Sequence, residues 1–289
     1  MNGKTLNIGG ELLSLETPLV MGILNITSNS FYAASRKQTE GEILCRAEEI
    51  LSEGGRIIDL GACSTHPGAA PVSAEEELKR LLPALHLLKK HYPQAIVSVD
   101  TFRALVARRA VEEGGADIVN DIAGGGLDAD MFRTVASLRV PYILMHLRGD
   151  PQTMQQLTDY DNLIVDIRKY FADKLYELEL LGVNDVIIDP GFGFSKTLEQ
   201  NYELLAGLKA FAVFDRPILC GISRKAMIYR LLETGPEESL EGTTVLNTLS
   251  LLGGADILRV HDVRAAVETL RLVSKYKEYA KPCGCCISD

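Results

Sequence analysis

Eight short apolar runs in this chain each end on a side chain that can donate, accept or carry charge. The residues are Asn25, Asp59, Asp100, Asn120, His146, Asp189, the group Ser223, Arg224 and Lys225, and finally Arg259 with His261. Two kinds of chemistry divide them. Asp100, Asn120 and Asp189 offer acceptors and an amide, the set that reads the edge of a flat heterocycle carrying N–H donors and an exocyclic amine. Lys225, Arg259 and His261 offer positive charge suited to an anionic leaving group such as a phosphate or pyrophosphate. The planar guanidinium of Arg259 is also able to lie against an aromatic ring. Taken singly, each residue has a plainer reading as a cap or turn residue; eight of them converging on one rim is much harder to explain by capping.

The densest of these positions is Ile187-Ile188-Asp189-Pro190-Gly191-Phe192-Gly193-Phe194-Ser195-Lys196. A buried strand opens there into a tight loop, with a carboxylate at its mouth and two glycines that let backbone approach a ligand closely. A strand-end aspartate capping the next helix is the alternative for Asp189 alone. His146 is read either as a hydrogen-bonded structural histidine or as a catalytic one, and Asp59 as a rim residue that orients its neighbours. His86 and His91 read as surface residues.

The elements that must position these side chains alternate along the chain. Strands are predicted at Leu19–Leu24, Arg56–Leu60, Ala95–Val99, Ile118–Val119, Tyr142–Met145, Val186–Ile188, Ile218–Cys220 and Ile257–Val260. Helices are predicted near Gly41–Glu53, Ala74–Lys90, Phe102–Glu113, Asp130–Leu138, Tyr160–Leu181, Leu198–Phe211, Leu240–Leu252 and Val263–Ala280, with a shorter turn from Lys225 to Leu232. In Ala74–Lys90, Leu78, Leu81, Leu82, Leu85 and Leu88 recur at helical spacing with charges between them. Short apolar strands that each lead into a helix imply an all-parallel sheet, and eight such units imply an α/β fold of the (β/α)8 TIM-barrel type. An open doubly wound sheet is the runner-up, but no G-x-G-x-x-G follows the first strand. Residues Thr5 to Leu15 alternate around Gly9-Gly10, which predicts an N-terminal β-hairpin within residues 1–17, placed over the lower end of the barrel.

Composition narrows the function. The 289 residues are 46% hydrophobic with no glycine-, serine- or proline-rich linker, so one domain over 1–289 is expected. A net charge of −9 argues against nucleic acid or an anionic membrane surface as partner and favours small molecules. The first residues lack the basic lead and apolar core of a signal peptide, and no run is long enough to span a bilayer. Cys45, Cys63 and Cys220 are scattered and Cys283, Cys285 and Cys286 crowd the end, a distribution suited to a reducing cytoplasm. Residues 281–289 read as a frayed tail, since the clustered cysteines lack a second ligand pair.

In order along the chain stand Met21-Gly22-Ile23-Leu24-Asn25-Ile26-Thr27, Ser64-Thr65 with Pro67-Gly68-Ala69, Ser98-Val99-Asp100-Thr101, Val119-Asn120-Asp121-Ile122 and Met145-His146 with Arg148-Gly149. Asp189-Pro190-Gly191-Phe192-Gly193-Phe194, Gly221-Ile222-Ser223-Arg224-Lys225 and Arg259-Val260-His261-Asp262-Val263 follow. With these motifs the chain resembles the dihydropteroate synthase family over nearly its whole length. The resemblance implies a TIM barrel that joins p-aminobenzoate to 6-hydroxymethyl-7,8-dihydropterin diphosphate and releases pyrophosphate, with Mg²⁺ as cofactor and a homodimer as the assembly. It assigns Asp189, Asn120 and Asp100 to the pterin edge, Lys225 to the opposite ring face or its oxygen, and Arg259 to stacking on the pterin. It assigns Asn25 and His261 to the diphosphate and its Mg²⁺, with Asn25 the metal ligand. It implies that Thr65, Pro67, Phe194 and Ser223 shape the p-aminobenzoate site.

Two loops depart from the family pattern. Thr27-Ser28-Asn29-Ser30-Phe31-Tyr32-Ala33-Ala34-Ser35 stands where Thr-Pro-Asp-Ser-Phe-Ser-Asp-Gly-Gly is usual, so both acids are gone. In Ala62-Cys63-Ser64-Thr65-His66-Pro67-Gly68, His66 replaces the usual arginine of the second-substrate loop with a side chain mostly neutral at pH 7. An active synthase is therefore weighed against a pterin-binding paralogue without turnover, separable by restoring an aspartate at Ala33 and an arginine at His66. A methyltetrahydrofolate-dependent methyl transferase would need a corrinoid partner, and the basic residues fit diphosphate chemistry better.

Overall fold

The protein's computed structural model describes residues 4–26, 36–62 and 72–280. Thr65, His66 and Pro67, expected at the second-substrate site, lie outside these residues, as do Asn29, Ala33, Cys63 and the cysteines of the tail.

The alternation of short apolar runs and amphipathic stretches folds as expected. The strands β3 (Leu19–Asn25), β4 (Ile57–Gly61), β5 (Ile96–Asp100), β6 (Ile118–Asp121), β7 (Tyr142–Met145), β8 (Val186–Asp189), β9 (Leu219–Cys220) and β10 (Ile257–Val260) form one parallel sheet. Its order is β8-β7-β6-β5-β4-β3-β10-β9. A bridge between Ile188 and Ile218 joins its two ends, so the sheet closes into a barrel. Five strands reach at least one residue further than predicted, because Asn25, Gly61, Asp100, Asp121 and Asp189 still pair with a neighbour. A polar side chain does not end a parallel ladder whose pairing is made by backbone.

Helices α1 (Arg36–Ser52), α2 (Ala74–His91), α3 (Ala104–Glu112), α4 (Met131–Leu138), α5 (Leu163–Leu180), α6 (Leu198–Ala206), α7 (Ala226–Tyr229), α8 (Leu240–Leu252) and α9 (Val263–Tyr279) follow the strands. Three boundaries differ from expectation for local reasons. α5 starts at Leu163 because Asn162 caps it, its side chain accepting the Val165 N–H at 3.0 Å. α3 starts at Ala104, whose N–H donates to Asp128 at 2.8 Å while Arg103 is extended. The predicted Leu198–Phe211 helix breaks at Gly207 and continues as a 3-10 helix over Leu208–Phe214.

Two-residue periodicity explains how the barrel carries a site. Met21, Ile57, Ile118, Ile143, Ile187, Leu219 and Ile257 form one buried apolar cluster low in the barrel. Two residues further along the same strands stand Asp59, Asn120, Asp189 and Arg259, on the same face because a strand's side chains alternate. The intervening residues, among them Ile58, Val119, Ile188 and Leu258, point outward into the core shared with the helices. The hairpin β1 (Thr5–Ile8) and β2 (Glu11–Ser14) turns at Gly9 and Gly10, both at positive φ. Its Leu6, with Leu15 just beyond it, completes the lower cluster and closes the floor of the barrel.

Candidate active site

The loop after β8 is shaped by three residues in the left-handed region: Gly191, Gly193 and Ser195. A Cβ on Gly191 would lie 2.2 Å from the His146 carbonyl oxygen, and one on Gly193 would lie 3.1 Å from Cδ of Lys225. The glycines thus let the loop approach β7 and Lys225, whereas the sequence reading assigned that closeness to a ligand. The Gly191 N–H donates to Oδ1 of Asp189 at 2.8 Å. No other hydrogen-bond donor among the described residues reaches this carboxylate, so its second oxygen is left as an acceptor. Burial raises the Asp189 pKa, and Lys225, the loop N–H, Arg259 and Lys196 oppose that rise.

Beneath the rim is a charged network, buried at Asp59 and Asn120 and half-buried at Arg259 and Asp100. Arg259 donates from Nε to Asp59 at 2.7 Å and from Nη2 to Asp100 at 3.0 Å. The Asn120 amide donates to both oxygens of Asp59, at 3.3 and 3.1 Å, which turns its own carbonyl oxygen away from that carboxylate. Asp59 has no exposed surface. It does what the sequence suggested as its alternative role: it orients Asn120 and Arg259, two of the residues expected to meet the pterin. Burial raises the Asp100 pKa, the Arg259 charge draws it down, and Asp59 pushes it up again.

Lys225 faces this network from the end of β9. Its Nζ donates to the Phe192 carbonyl oxygen and lies 4.6 Å from the centroid of the Phe194 ring. Burial pulls its pKa down to about 8, against the attraction of Asp189. Lys225, Asp189 and Phe194 are therefore brought together as expected.

On the β3 and β10 side a cavity of about 550 Å³ is lined by Asn25, Glu42, Arg46, Arg224, Glu237 and His261, among others. His261 sits exposed at the rim. Partial desolvation and the guanidinium groups of Arg259, Arg224 and Arg46 hold its pKa below the ordinary histidine value, so its ring is neutral at pH 7. That corrects the expectation of a positive charge there. Ser223 Oγ accepts the His261 backbone N–H at 3.1 Å and lies 3.2 Å from Nδ1, so one hydroxyl anchors both the backbone and the ring of His261. Ser223, expected beside p-aminobenzoate, has its hydroxyl engaged by His261. Positive charge on this side comes instead from Arg46 and Arg224. Arg46 donates to the carbonyls of Ile23 and His261, and Arg224 grips Asp262 through two 2.8 Å bonds.

Sequence reasoning missed Arg46 and Glu42, which lie on α1 rather than at a strand end. It also missed Lys196, whose Nζ meets Nδ1 of His146 at 3.1 Å inside the loop. His146 is buried and packs edge-on against Tyr170 with ring centroids 4.9 Å apart, the structural reading of the two offered.

Comparison with known proteins agrees with this geometry. A family model described as "Pterin binding enzyme" matches residues 21–261. A dihydropteroate synthase of Escherichia coli K12 is 40% identical over 270 residues, covering 91% of this chain and 93% of the relative. The chain belongs to the dihydropteroate synthase family of pterin-binding enzymes. A Synechocystis dihydropteroate synthase is 41% identical over 256 residues, 88% of either chain. Among solved structures, the Yersinia pestis dihydropteroate synthase in complex with a sulfonamide drug superposes with a TM-score of 0.88 at 36% identity, covering 95% of this chain and 100% of its own. The Xanthomonas albilineans enzyme with 4-aminobenzoic acid gives a TM-score of 0.87 at 33% identity, covering 97% and 100%. Members of this family are transferases of folate synthesis, and the barrel with its hairpin is the family fold.

Two expectations follow for the site. Asp59→Asn removes the charge that Arg259 and Asn120 share, and pterin affinity should weaken at least about tenfold, or about 1.4 kcal/mol, by titration calorimetry on protein shown by circular dichroism to be folded. Affinity equal to wild type would remove Asp59 from the site. Lys225 is charged below its lowered pKa and loses its proton above it, so pterin affinity should fall on an alkaline limb near pH 8. That limb should be absent in Lys225→Arg, whose guanidinium stays charged throughout.

Proposed function

We propose that this barrel condenses 6-hydroxymethyl-7,8-dihydropterin diphosphate with p-aminobenzoate to give 7,8-dihydropteroate and pyrophosphate. One observation carries the reading: Asp189, Asp100 and Asn120 converge with Lys225 and Phe194 at one mouth, beside a cavity flanked by Arg46, Arg224 and His261.

The free Asp189 oxygen and the Asn120 carbonyl accept N–H groups of the pterin edge, and Arg259, held flat by two carboxylates, presents its plane to the ring. The methylene C–O bond breaks and its electron pair leaves with pyrophosphate. The cationic methylene that remains is conjugated with the pterin and lies in the field of Asp59, Asp100 and Asp189. The p-aminobenzoate nitrogen then forms the new C–N bond and releases a proton. Arg46 and Arg224 attract the departing anion, and the neutral His261 offers it an N–H. Most of the acceleration comes from holding the two reactants in line within a preformed charge pattern.

Asn25 fits the Mg²⁺ that the family implies. Its exposed Oδ1 stands against Gly61, where a Cβ would lie only 2.9 Å away. No group of three His, Cys, Asp or Glu side chains suited to a metal exists among the described residues. That suits Mg²⁺, which keeps its waters and binds through one or two protein oxygens plus substrate phosphates. When bound, the ion would neutralise leaving-group charge. The p-aminobenzoate site that the family resemblance assigns to Thr65, His66, Pro67 and Phe194 is one where sulfonamides, arylamines of similar shape, would compete.

Two further features belong to this reading. Val245, Leu249 and Leu252 on α8, and Leu272, Tyr276 and Tyr279 on α9, are exposed at helical spacing on two adjacent helices. A second copy of the chain would cover them, and light scattering should report a dimer; a monomer at all concentrations would refute it. Among the described residues no helix is long and apolar enough to cross a membrane, and the free thiols Cys45 and Cys220 fit a reducing cytoplasm.

The decisive assay supplies both substrates and Mg²⁺ and follows pyrophosphate and dihydropteroate. Turnover is expected, with kcat/KM lowered at least about a hundredfold in Asp189→Asn. Tight pterin binding without product would leave a binding protein, and no pterin binding would sink both readings.

A further inference from the structure

The loop from Asp189 to Lys196 needs something to hold it, since Gly191, Gly193 and Ser195 all have φ between 50° and 81° and serine rarely adopts that region. Ser195 is restrained from outside: its Oγ accepts the Arg148 N–H and donates to the Arg148 carbonyl, both at 2.9 Å. Inside the loop, Oδ1 of Asn201 accepts the Gly193 N–H at 2.6 Å and Lys225 holds the Phe192 carbonyl, while a third side chain makes the most contacts. Nζ of Lys196 donates to the Gly191 and Phe194 carbonyls, each at 2.9 Å, and to Nδ1 of His146 at 3.1 Å. An ammonium has three donors and no acceptor, and it meets three acceptors here. His146 is able to serve as the third because burial and neighbouring cations hold its pKa well below the ordinary value and keep its ring neutral.

The tied segment touches two of the groups expected to read the pterin, Asp189 and Lys225. Gly191 gives its N–H to Asp189, Phe192 gives its carbonyl to Lys225, and Phe194 carries the ring against Lys225. A lysine only 4% exposed would be a poor choice for packing alone, where a methionine fills similar space without desolvating a charge.

We propose that Lys196 is a positioning residue of the transferase: its three-donor ammonium helps fix the loop over 190–195 so that Asp189 and Lys225 face the pterin and Phe194 stands beside the arylamine. The inference rests on the reading of this site as a pterin site. The ammonium makes all three contacts as a charge-assisted donor, whereas a neutral amine keeps two N–H donors and holds His146 only by accepting Nδ1–H from the other ring tautomer, with weaker bonds. The charged groups around it are Asp189, which favours the ammonium, and Lys225 and Arg148, which oppose it; with burial they bring its pKa down to about 7. The clamp is therefore complete below that value and loosens as pH rises through it.

Lys196→Met, checked for folding by circular dichroism and thermal melting, should bind the pterin at least about tenfold more weakly than wild type near pH 6. The gap should narrow towards about pH 9, because wild type loses its third donor there. A limb in pterin affinity near pH 7 should persist in Lys225→Arg and vanish in Lys196→Met. A folded Lys196→Met protein with wild-type affinity and pH dependence would overturn the proposal. If that variant fails to fold, hydrogen exchange of the wild-type protein decides. Protection of the Gly191 to Phe194 amides, corrected for intrinsic rate, should drop between about pH 6 and 9 while that of β5 and β6 stays constant. Unchanged loop protection would refute the clamp, whereas failure of wild type to bind pterin would count against the site reading and leave the clamp to be judged by exchange.

Discussion

Arg259 on β10 reaches past β3 to Asp59 on β4 and Asp100 on β5, at 2.7 and 3.0 Å, joining ends of the chain that only barrel closure brings together. A buried ion pair adds little net stability, but removing one member leaves a charge in a medium that solvates it poorly. Each member of this cluster therefore constrains the others. Asp59 also fixes the Asn120 amide, Asp100 and Asp189 raise the proton affinity of Lys225, and Lys225 in turn ties the loop beyond β8. The recognition surface is a single electrostatic unit rather than a collection of contact residues.

That unit is compatible with folding because the barrel separates two tasks along each strand. Lower inward positions are apolar and continue the packed core, while positions two residues higher carry the charges. The outward-facing residues of the same strands are nearly all aliphatic and pack on helices. Helix packing thus holds the strands whatever polar residues their upper inner faces carry.

The fold was legible because eight apolar runs of strand length, each leading into a helical stretch, leave few alternatives to a closed parallel sheet. The site was legible as far as it stands at strand ends, which is why Asp100, Asn120, Asp189, Lys225 and Arg259 were found. Arg46 reaches the site from a helix, where a lone arginine looks like any surface charge. Lys196 looked like the polar end of a loop, and only the fold shows it sealed inside. The neutrality of His261 was invisible for another reason: it depends on three arginines that come from distant parts of the chain. Chain order records which groups are available, whereas proton affinities depend on neighbours that only tertiary structure brings near.

The hairpin that seals the floor has a kinetic consequence. With Leu6 and Leu15 packed into the lower cluster, that end of the barrel is closed to reactants, which must approach from the opposite end of the strands. Asn120, proposed to meet the heterocycle, and Asp59, which orients it, lie deeper than Phe194 and the cavity beside Asn25. A molecule seated above them blocks the way down. On the proposed reading the pterin therefore loads before the arylamine, and an arylamine arriving first would act as a cork.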